Sequence, residues 1–318
     1  MNASQPVLAL SGGVGGAKLA FGLYRILPPD TLTVVANTGD DFEHLGLSIS
    51  PDLDTLLYTL SGQANSELGW GRQGETWTFM AALEKLGGQT WFRLGDGDLA
   101  THVERTRRLT AGESLSAVID DFRRRCGIAA RLLPMSDDRV RTRLDTDQGW
   151  LEFQDYFVRL RCEPRVRQLE FAGSQTAQPH RDFLTALGNP ELRAVVICPS
   201  NPFISIDPIL CIPGVREALR LCRAPVIAVS PIIGGKAVKG PTAKMMGELG
   251  LPVDAAAVAR HYREFLDLYI ADEADRDAVG ELDIPTVLAP TLMLTLEDRE
   301  ALARTVLQAA GVLTDKRR

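Results

Sequence analysis

The chain has 318 residues, of which 45% are hydrophobic and 24% are charged, and its formal net charge is −6. This composition is typical of a globular protein and argues against disorder or a fibrous structure. The negative net charge argues against a nucleic-acid partner, because phosphate backbones attract positive charge.

Charged residues or glycine interrupt every hydrophobic run before it reaches the roughly 18 apolar residues of a membrane helix. The polar start of the chain does not resemble an export signal. We therefore expect a cytoplasmic protein without a membrane partner. The five cysteines form no Cys-x-x-Cys pair, so neither a zinc site nor a redox motif is expected.

The start of the chain predicts two βα units. Residues 7–10 and 31–36 are nearly continuous in Val, Leu and Ala, and residues 17–27 between them have the spacing of a helix. Strands that are apolar throughout are typical of a parallel sheet buried on both faces. The same pattern, an apolar strand followed by helical spacing, occurs again near residues 194–198 and 225–229.

The middle of the chain predicts an insertion into this sheet. Residues 61–127 have mainly helical patterns, whereas residues 128–171 contain short β-rich pieces broken by Asp and Gly. We predict a single α/β domain over residues 1–318. Its core is formed by residues 1–60 and 180–318, and residues 61–179 form a helical insertion with a small β accessory element.

The first βα connection carries the sequence Ser-Gly-Gly-Val-Gly-Gly-Ala-Lys at residues 11–18. Backbone N–H groups and the helix dipole attract phosphate at such a place, and Gly12, Gly13, Gly15 and Gly16 allow close approach. Lys18 fits neither a Walker A loop nor the third glycine of the dinucleotide fingerprint. Phosphate or nucleotide binding is the favoured interpretation, and a plain tight turn is the alternative.

Four carboxylates follow the second predicted strand, in Asn37-Thr38-Gly39-Asp40-Asp41 and Pro51-Asp52-Leu53-Asp54-Thr55. Ligands bind at this edge of open α/β sheets. Carboxylates beside a phosphate loop would repel the substrate unless a cation lies between them, and oxygen ligands suit Mg²⁺. The alternative is that Asp52 or Asp54 only caps the following helix.

Three further segments carry polar or aromatic groups that suit ligand binding. Ser200 and Asn201 lie in a turn between two prolines, residues 230–241 form a glycine-rich loop with two lysines, and residues 91–102 combine aromatic and acidic side chains. The alternatives are a surface loop for the second segment and a core position for the aromatic pair of the third.

Taken together, residues 11–16, 37–41, 51–55, 94–102, 199–202 and 230–241 resemble the 2-phospho-L-lactate transferase family, which acts in coenzyme F-420 biosynthesis. Residues 133–138 and 205–210 add to the match, which runs in order from about residue 6 to residue 311. Six ordered motifs are more specific than one glycine loop.

The resemblance implies a Rossmann-like core and a homodimer. It also implies a guanosine diphosphate donor that carries phospholactate, phosphoenolpyruvate or 3-phosphoglycerate. The implied acceptor is 7,8-didemethyl-8-hydroxy-5-deazariboflavin, whose ribityl hydroxyl attacks the β-phosphorus while GMP leaves. Which acid the donor carries stays open at this point.

From the positions of the motifs we expect Asp54, with Asp41 or Asp52, to hold Mg²⁺, and Asp40 or Asp41 to accept the hydroxyl proton. The expected substrate-binding residues are Gly12, Gly13, Gly15, Gly16, Asn37, Thr38, Ser200 and Asn201 around the phosphates, Trp91, Asp96 and His102 for the deazaflavin, Arg105 for the donor's carboxylate, and Gly235, Lys236 and Lys239 near the guanine nucleotide.

Two rival functions share some of these features. A non-catalytic nucleotide-sugar or dinucleotide sensor, resembling the gluconeogenesis-factor regulators, would have a similar glycine loop and sheet. An NAD-linked oxidoreductase would need the fingerprint that Lys18 interrupts. The segments 94–102 and 230–241 favour the transferase.

Overall fold

A seven-stranded, entirely parallel sheet forms the centre of a computed structural model of the protein, which describes residues 5–65, 68–237 and 240–317. Its strand order is β14-β13-β10-β9-β1-β2-β5. The strands are β1 Val7–Ser11, β2 Leu32–Ala36, β3 Phe42–His44, β4 Leu47–Ile49, β5 Arg131–Pro134, β6 Arg141–Thr146, β7 Gly149–Glu152, β8 Val166–Ala172, β9 Ala194–Ile197, β10 Val226–Val229, β11 Ile232–Ile233, β12 Lys236–Ala237, β13 Leu268–Ala271 and β14 Thr286–Leu288.

Helices cover the sheet and connect its strands. The α-helices are α1 Gly13–Ile26, α2 Pro51–Leu60, α3 Thr78–Lys85, α4 Asp96–Thr110, α5 Leu115–Arg125, α6 Arg181–Leu187, α7 Asp207–Leu210, α8 Val215–Leu221, α9 Thr242–Glu248, α10 Ala255–His261, α11 Arg276–Val279 and α12 Leu296–Arg317. Asp155–Arg159 and Pro202–Ile206 are single π-helical turns, and Glu273–Asp275 is a 3₁₀ turn. Within the residues described here, none of the helices combines the length and apolarity needed to cross a membrane.

The sheet separates two hydrophobic cores, which explains why its strands are apolar throughout. Leu8 and Leu10 of β1 point into one core, whereas Val7 and Ala9 point into the other, which contains residues of α1, α2 and α12. Successive side chains of a strand alternate between its faces, so a strand covered on both sides has to be apolar at every position. The predicted Rossmann-like α/β fold is confirmed.

Along the chain, strands are added to the sheet first on one side of β1 and later on its other side, and this change of side determines where the site lies. The chain adds β2 and β5 on one side of β1, and then β9, β10, β13 and β14 on the other. The loops after β1 and β9 therefore diverge, and in open α/β sheets ligands bind in the crevice that such a divergence opens.

Two details of the predicted organisation are corrected. β5 pairs with β2 and is the edge strand of the central sheet, whereas residues 128–171 were predicted to be accessory. Its Leu132 and Leu133 are buried, so β5 belongs to the hydrophobic core of the domain. The accessory sheet is the antiparallel set β7-β6-β8. Helix α1 begins at Gly13 rather than near residue 17, because the glycines belong to its first turn.

Gly22 allows α1 to pack against α12, and its replacement tests this contact. A Cβ atom at Gly22 would overlap the backbone carbonyl of Arg299, which cannot rotate away. We expect Gly22→Ala to lower the free energy of unfolding by roughly 1–2 kcal/mol in urea titrations, after allowance for the better helix propensity of Ala. In the control Gly188→Ala the nearest atom to the new Cβ lies at 3.6 Å, so stability should stay within about 1 kcal/mol of the parent. Equal stability of both variants would contradict the packing.

Candidate active site

A cavity of about 900 Å³ opens at the carboxyl ends of the central strands. This volume is at the upper end of the range for small-molecule sites, so it has room for a large ligand or for two. Ten of the predicted site residues line it: Gly12, Gly13, Gly15, Asp40, Asp52, Asp54, Trp91, His102, Ser200 and Asn201. Segments that lie far apart in the sequence thus meet at one site.

The glycine loop needs its glycines because other backbone and side chains pack directly against it. A Cβ at Gly12 would lie 2.6 Å from the Cβ of Ser205, and one at Gly15 would lie 2.6 Å from the carbonyl oxygen of Pro199. A Cβ at Gly16 would overlap the hydroxyl groups of Ser11 and Ser200. Gly13 has φ +64, a conformation that favours glycine. The first turn of α1 consequently faces the cavity without side chains at these positions.

Two side chains hold this loop in place directly, and a third supports one of them. The Gly13 amide donates to Asp52 Oδ1 at 2.7 Å, and the Gly12 amide donates to the Ser200 hydroxyl at 3.1 Å. That hydroxyl donates in turn to the Gly12 carbonyl at 2.7 Å. Asp52 Oδ2 accepts from Asn37 Nδ2 at 2.9 Å. Ser200, Asp52 and Asn37 therefore anchor the loop.

Asp40 and Asp41 are buried, and each has a carboxylate oxygen without a hydrogen-bond partner. The oxygen is Oδ1 in both residues. Asp41 Oδ2 accepts from the Ser50 hydroxyl at 2.7 Å, and the Asp40 carbonyl accepts from Gln154 at 3.2 Å. Asp40 lines the cavity, and the neighbouring Asp41 is buried and does not line it. An unpartnered buried carboxylate oxygen is costly, so these two oxygens are candidates for contact with a ligand.

Burial raises the pKa of three of the acids. It raises the pKa of Asp41 to about 7 and that of Asp52 to about 6. The pKa of Asp40 is also raised well above its ordinary value, first by burial and then by the charge of Asp52. A nearby cation would favour the charged form of these acids and lower their pKa values again, and a pKa near neutrality, as in Asp41 and Asp52, suits a general base.

Asp54 is held by a buried arginine. Both of its carboxylate oxygens contact the guanidinium of Arg105, whose Nη1 lies 3.1 Å from Oδ2. Arg105 is fully buried (0% exposed). The expectation that Arg105 meets the donor's carboxylate is not supported by this position, because the guanidinium lies behind the cavity wall and already has an anionic partner.

Asp54, Asp98 and His102 form a second constellation that could hold a metal ion, since one ligand atom from each lies within 4.8 Å of the others. The Arg105 guanidinium, however, faces both Asp54 and His102 Nδ1, the latter at 3.2 Å from Nη1. A cation bound by all three would lie beside this positive charge. A metal held by Asp54 would therefore be completed better by the unpartnered Asp41 Oδ1 than by His102, whose Nδ1 faces the guanidinium.

Aromatic side chains form another part of the cavity wall. Trp91 and Phe92 line the cavity and pack on Phe42 of β3, with ring centroids at 6.1 and 4.8 Å. His44 stands edge-on to Trp91 with a centroid distance of 4.9 Å, and burial lowers the pKa of its imidazole. The aromatic pair thus belongs both to a small core and to the cavity.

Other predicted site residues lie outside the cavity wall. None of these residues lines the cavity: Gly16, Asn37, Thr38, Asp41 and Arg105 are buried, Asp96 is partly buried, and Gly235 and Lys236 are exposed. Asp96 accepts from the backbone amides of Thr78 and Phe79 at 3.1 and 3.0 Å, so it caps α3. Lys239 lies outside the described residues.

In the glycine-rich segment after β10, Gly234 and Gly235 bind an acidic side chain of the protein itself, so their amides are not available to an anionic ligand. The amides of Gly234 and Gly235 donate to the two carboxylate oxygens of Asp275 at 3.0 and 2.9 Å. Lys236 is exposed in the small β11–β12 hairpin. Gly240 and Thr242 contribute to the cavity wall instead.

Several residues that line the cavity were not predicted from the sequence. Phe153, Gln154, Phe157 and Arg161 come from the accessory element and its π-helical turn, and Met293 comes from the segment before α12. These residues belong to no recognisable motif. The available signal in the sequence was the pair Phe153 and Phe157 at i and i+4, whose rings stack with a centroid distance of 5.3 Å.

The buried acids should make the ligand-free protein less stable as the pH rises. Asp41 and Asp52 have folded-state pKa values of about 7 and about 6, above the value of about 4 in the unfolded chain. The fold therefore binds more protons than the unfolded chain, and this stabilisation is complete below about pH 4 and lost as the pH rises through the folded values.

We expect Asp41→Asn to stabilise the ligand-free protein by roughly 2–4 kcal/mol more at pH 8 than at pH 5, because the amide resembles the protonated acid. Urea unfolding at the two pH values measures this difference. Asp283→Asn, which removes an exposed acid (side chain 68% exposed), is the control and should show none of it. The same effect of Asp41→Asn at both pH values would contradict the raised pKa.

Comparisons with known proteins agree with the motifs. The family model described as 2-phospho-L-lactate transferase CofD matches residues 7–288. A phosphoenolpyruvate transferase of Kitasatospora aureofaciens is 42% identical, with 96% of this chain and 97% of that protein covered. A 2-phospho-L-lactate transferase of Methanosarcina mazei is 40% identical, with 95% and 100% covered.

Among solved structures, a member of the UPF0052 family from Bacillus halodurans superposes with a TM-score of 0.65 at 14% identity, and 96% of this chain and 99% of that chain are covered. This likeness confirms the fold. The family match and the two relatives extend over nearly the whole chain, and they do not favour the regulatory alternative. The chain belongs to the 2-phospho-L-lactate transferase family.

Proposed function

We propose that this protein transfers a phosphorylated three-carbon acid from its guanosine diphosphate adduct to the terminal ribityl hydroxyl of the deazaflavin alcohol, with Mg²⁺ bound beside the diphosphate. Membership of the family supports transfer of a phospho-acid in F-420 biosynthesis. One observation carries the finer proposal: the first turn of α1 and the buried acids Asp40 and Asp54 face the same cavity.

The diphosphate fits the first turn of α1. The amides of Val14 and Gly15 lie at positions where a helix offers no internal acceptor, and both residues line the cavity. Asn201 adds a donor, because its Oδ1 accepts from Phe203 at 2.9 Å while its Nδ2 contacts only a methionine sulfur at 3.8 Å. Ser200 is better assigned to the loop, since its single O–H is used by Gly12.

The acids fit a magnesium ion. The charge of Asp54 reaches Asp41, whose pKa it helps to raise, and Asp41 Oδ1 is unpartnered. The oxygens of Asp52 and of Asp54 all have partners, but those of Asp52 hold the glycine loop and Asn37 in place, so Asp52 is the weaker candidate. We assign Mg²⁺ to Asp54 and Asp41, two carboxylates being a common protein contribution to a magnesium site. When bound, the ion supplies positive charge next to the diphosphate.

Asp40 is the group that accepts the proton. It lines the cavity and its Oδ1 has no partner, and burial raises the pKa of its carboxyl, which makes the carboxylate a stronger base than a solvated one. As the hydroxyl oxygen forms its bond to the β-phosphorus, the bond from this phosphorus to the GMP oxygen breaks, and the hydroxyl proton moves to Asp40. The remaining contribution of the protein is to hold these groups in line.

The aromatic wall suits the flat deazaflavin. Trp91, Phe92, Phe153, Phe157 and Trp70 line the cavity and offer ring faces or edges to a planar ligand. This assignment keeps Trp91 and His102 near the acceptor, as predicted, and leaves Asp96 as a helix cap.

The carboxylate of the donor needs a cation other than Arg105. Arg93 and Arg161 line the cavity, and Arg161 is exposed. We assign the carboxylate to one of these two arginines. Nucleotide contacts by Lys236 or Lys239, a homodimer and a cytoplasmic location stay predictions, and light scattering of the purified protein measures the oligomeric state.

Two acid-to-amide changes separate the metal site from the base. We expect Asp54→Asn to lower kcat by about a hundredfold or more and to weaken Mn²⁺ binding in the presence of GDP, because an anionic ligand is lost. Asp40→Asn should lower kcat by about a hundredfold or more with Mn²⁺ affinity unchanged, because only the proton acceptor is lost. Steady-state kinetics and electron paramagnetic resonance of Mn²⁺ measure the two effects.

Asp283→Asn provides the matched control, since it removes a negative charge from an exposed position. Its kcat and Mn²⁺ affinity should equal those of the parent protein. Full turnover of Asp54→Asn with unchanged Mn²⁺ affinity would remove Asp54 from the metal site.

The reaction itself is tested by incubating the purified protein, Mg²⁺ and the deazaflavin alcohol with each of the three guanosine diphosphate adducts. Mass spectrometry of the product and detection of GMP show which acid is transferred. A product from at least one donor is expected, and no product from any of them would overturn the proposal. Tighter binding of UDP-sugars than of GDP would instead favour the regulatory alternative.

A further inference from the structure

The faces of α2 and α4 that meet beside the cavity carry polar residues at helical spacing. On α4, Asp98, His102 and Arg105 follow each other at i, i+4 and i+7, and they face Asp54 and Tyr58, at i and i+4 on α2. Such spacings place side chains on one side of a helix. Asp54 contacts Arg105 while Tyr58 contacts Asp98, so the two helices run in opposite directions.

Hydrogen bonds and charge contacts connect these side chains. The Tyr58 hydroxyl lies 2.6 Å from Asp98 Oδ1, Asp98 Oδ2 lies 3.1 Å from His102 Nε2, and His102 Nδ1 lies 3.2 Å from Arg105 Nη1. The contact between Asp98 and His102 is electrostatic rather than a straight hydrogen bond. We call Tyr58, Asp98, His102 and Arg105 the buried polar chain, and it ends at the carboxylate of Asp54.

The chemistry of Arg105 limits how His102 can pair with it. A guanidinium has only donors, so a hydrogen bond between them needs the imidazole Nδ1 as acceptor, with the ring proton on Nε2, toward Asp98. Arg105 also donates to the Ser48 carbonyl at 3.3 Å, so the guanidinium is restrained on several sides.

Burying these polar and charged side chains between the helices costs more free energy than burying apolar side chains there would. Arg105, His102 and Asp54 are 0%, 1% and 5% exposed. Taking charges out of water is unfavourable, and well-packed apolar residues often stabilise a helix contact equally well or better. A contribution to stability therefore does not explain why these residues are polar. A fixed orientation of the Asp54 carboxylate at the cavity does explain it.

We propose that Arg105 is a positioning residue, held by His102 and the rest of the buried polar chain, which orients the Asp54 carboxylate toward the ligand. Arg105 does not line the cavity, so it acts through Asp54. The inference rests on the proposed function, because it gives Asp54 the role assigned there. Groups that orient metal ligands in this way typically contribute about 10- to 100-fold in metal affinity or activity.

Two replacements of His102 separate orientation from simple stability. The amide oxygen of Asn lies near the place of Nδ1, so His102→Asn keeps an acceptor for Arg105. The amide group of Gln reaches the place of Nε2, so His102→Gln keeps a contact with Asp98 but leaves Arg105 without its acceptor. The readouts are kcat and KM, Mn²⁺ affinity in the presence of GDP, and the thermal unfolding midpoint.

We expect kcat and Mn²⁺ affinity to be about tenfold or more higher in His102→Asn than in His102→Gln, with the same KM for the donor in both variants. Arg105→Lys should lose about 10- to 100-fold, because an ammonium cannot contact both oxygens of Asp54 as the fork does. Arg107→Lys, an exposed change on the same helix (side chain 64% exposed), should match the parent.

Equal kcat and equal Mn²⁺ affinity in His102→Asn and His102→Gln would overturn the positioning role, whatever their unfolding midpoints. Failure of the proposed function would have a different signature, in which the parent protein itself forms no product. The Mn²⁺ affinities would then still decide whether Arg105 orients Asp54. An active parent with matched His102 variants would reject the positioning role alone.

Discussion

The close contact between the glycine loop and the Pro199–Ser205 segment is the constraint on which the rest of the site depends. The β1–α1 connection lies against the Pro199 carbonyl and the side chains of Ser200 and Ser205, so closely that a Cβ at Gly12, Gly15 or Gly16 would overlap its neighbours. Asp52 then joins α2 to the same place through the Gly13 amide. Strand order makes the contact possible, because β1 and β9 are neighbouring strands.

Electrostatics divides the acids of the site into those with partners and those without. Asp52 accepts from Gly13 and Asn37, and Asp54 contacts Arg105, so both have a fixed place in the fold. Asp40 and Asp41 each keep an unpartnered oxygen. Buried polar atoms are nearly always satisfied, so Asp40 and Asp41 keep the capacity to contact a ligand, whereas the orientation of Asp52 and Asp54 is already set by the fold.

The parts predicted from the sequence are those that depend on local rules. Apolar continuity gave the buried parallel strands, and the position of the glycine loop between a strand and a helix placed it at the site. β5 was missed as a core strand because four residues, Arg131–Pro134, carry too little pattern to show which sheet they join. Contacts between residues that lie far apart in the sequence depend on how the elements pack. Neither the pairing of Arg105 with Asp54 nor that of Gly235 with Asp275 follows from any spacing.

The wall of the cavity is built from both ends of the chain, and this has a consequence for biosynthesis. Gly12 lies in the first connection, Met293 lies just before the last helix, and Lys18 donates to the Met293 carbonyl at 2.7 Å. A nascent chain on the ribosome can form β1, α1 and β2 early, but β1 acquires its second neighbour only after residue 194 has emerged. The acids and the glycine loop therefore remain open to solvent during most of translation, and the site closes only when synthesis is nearly finished.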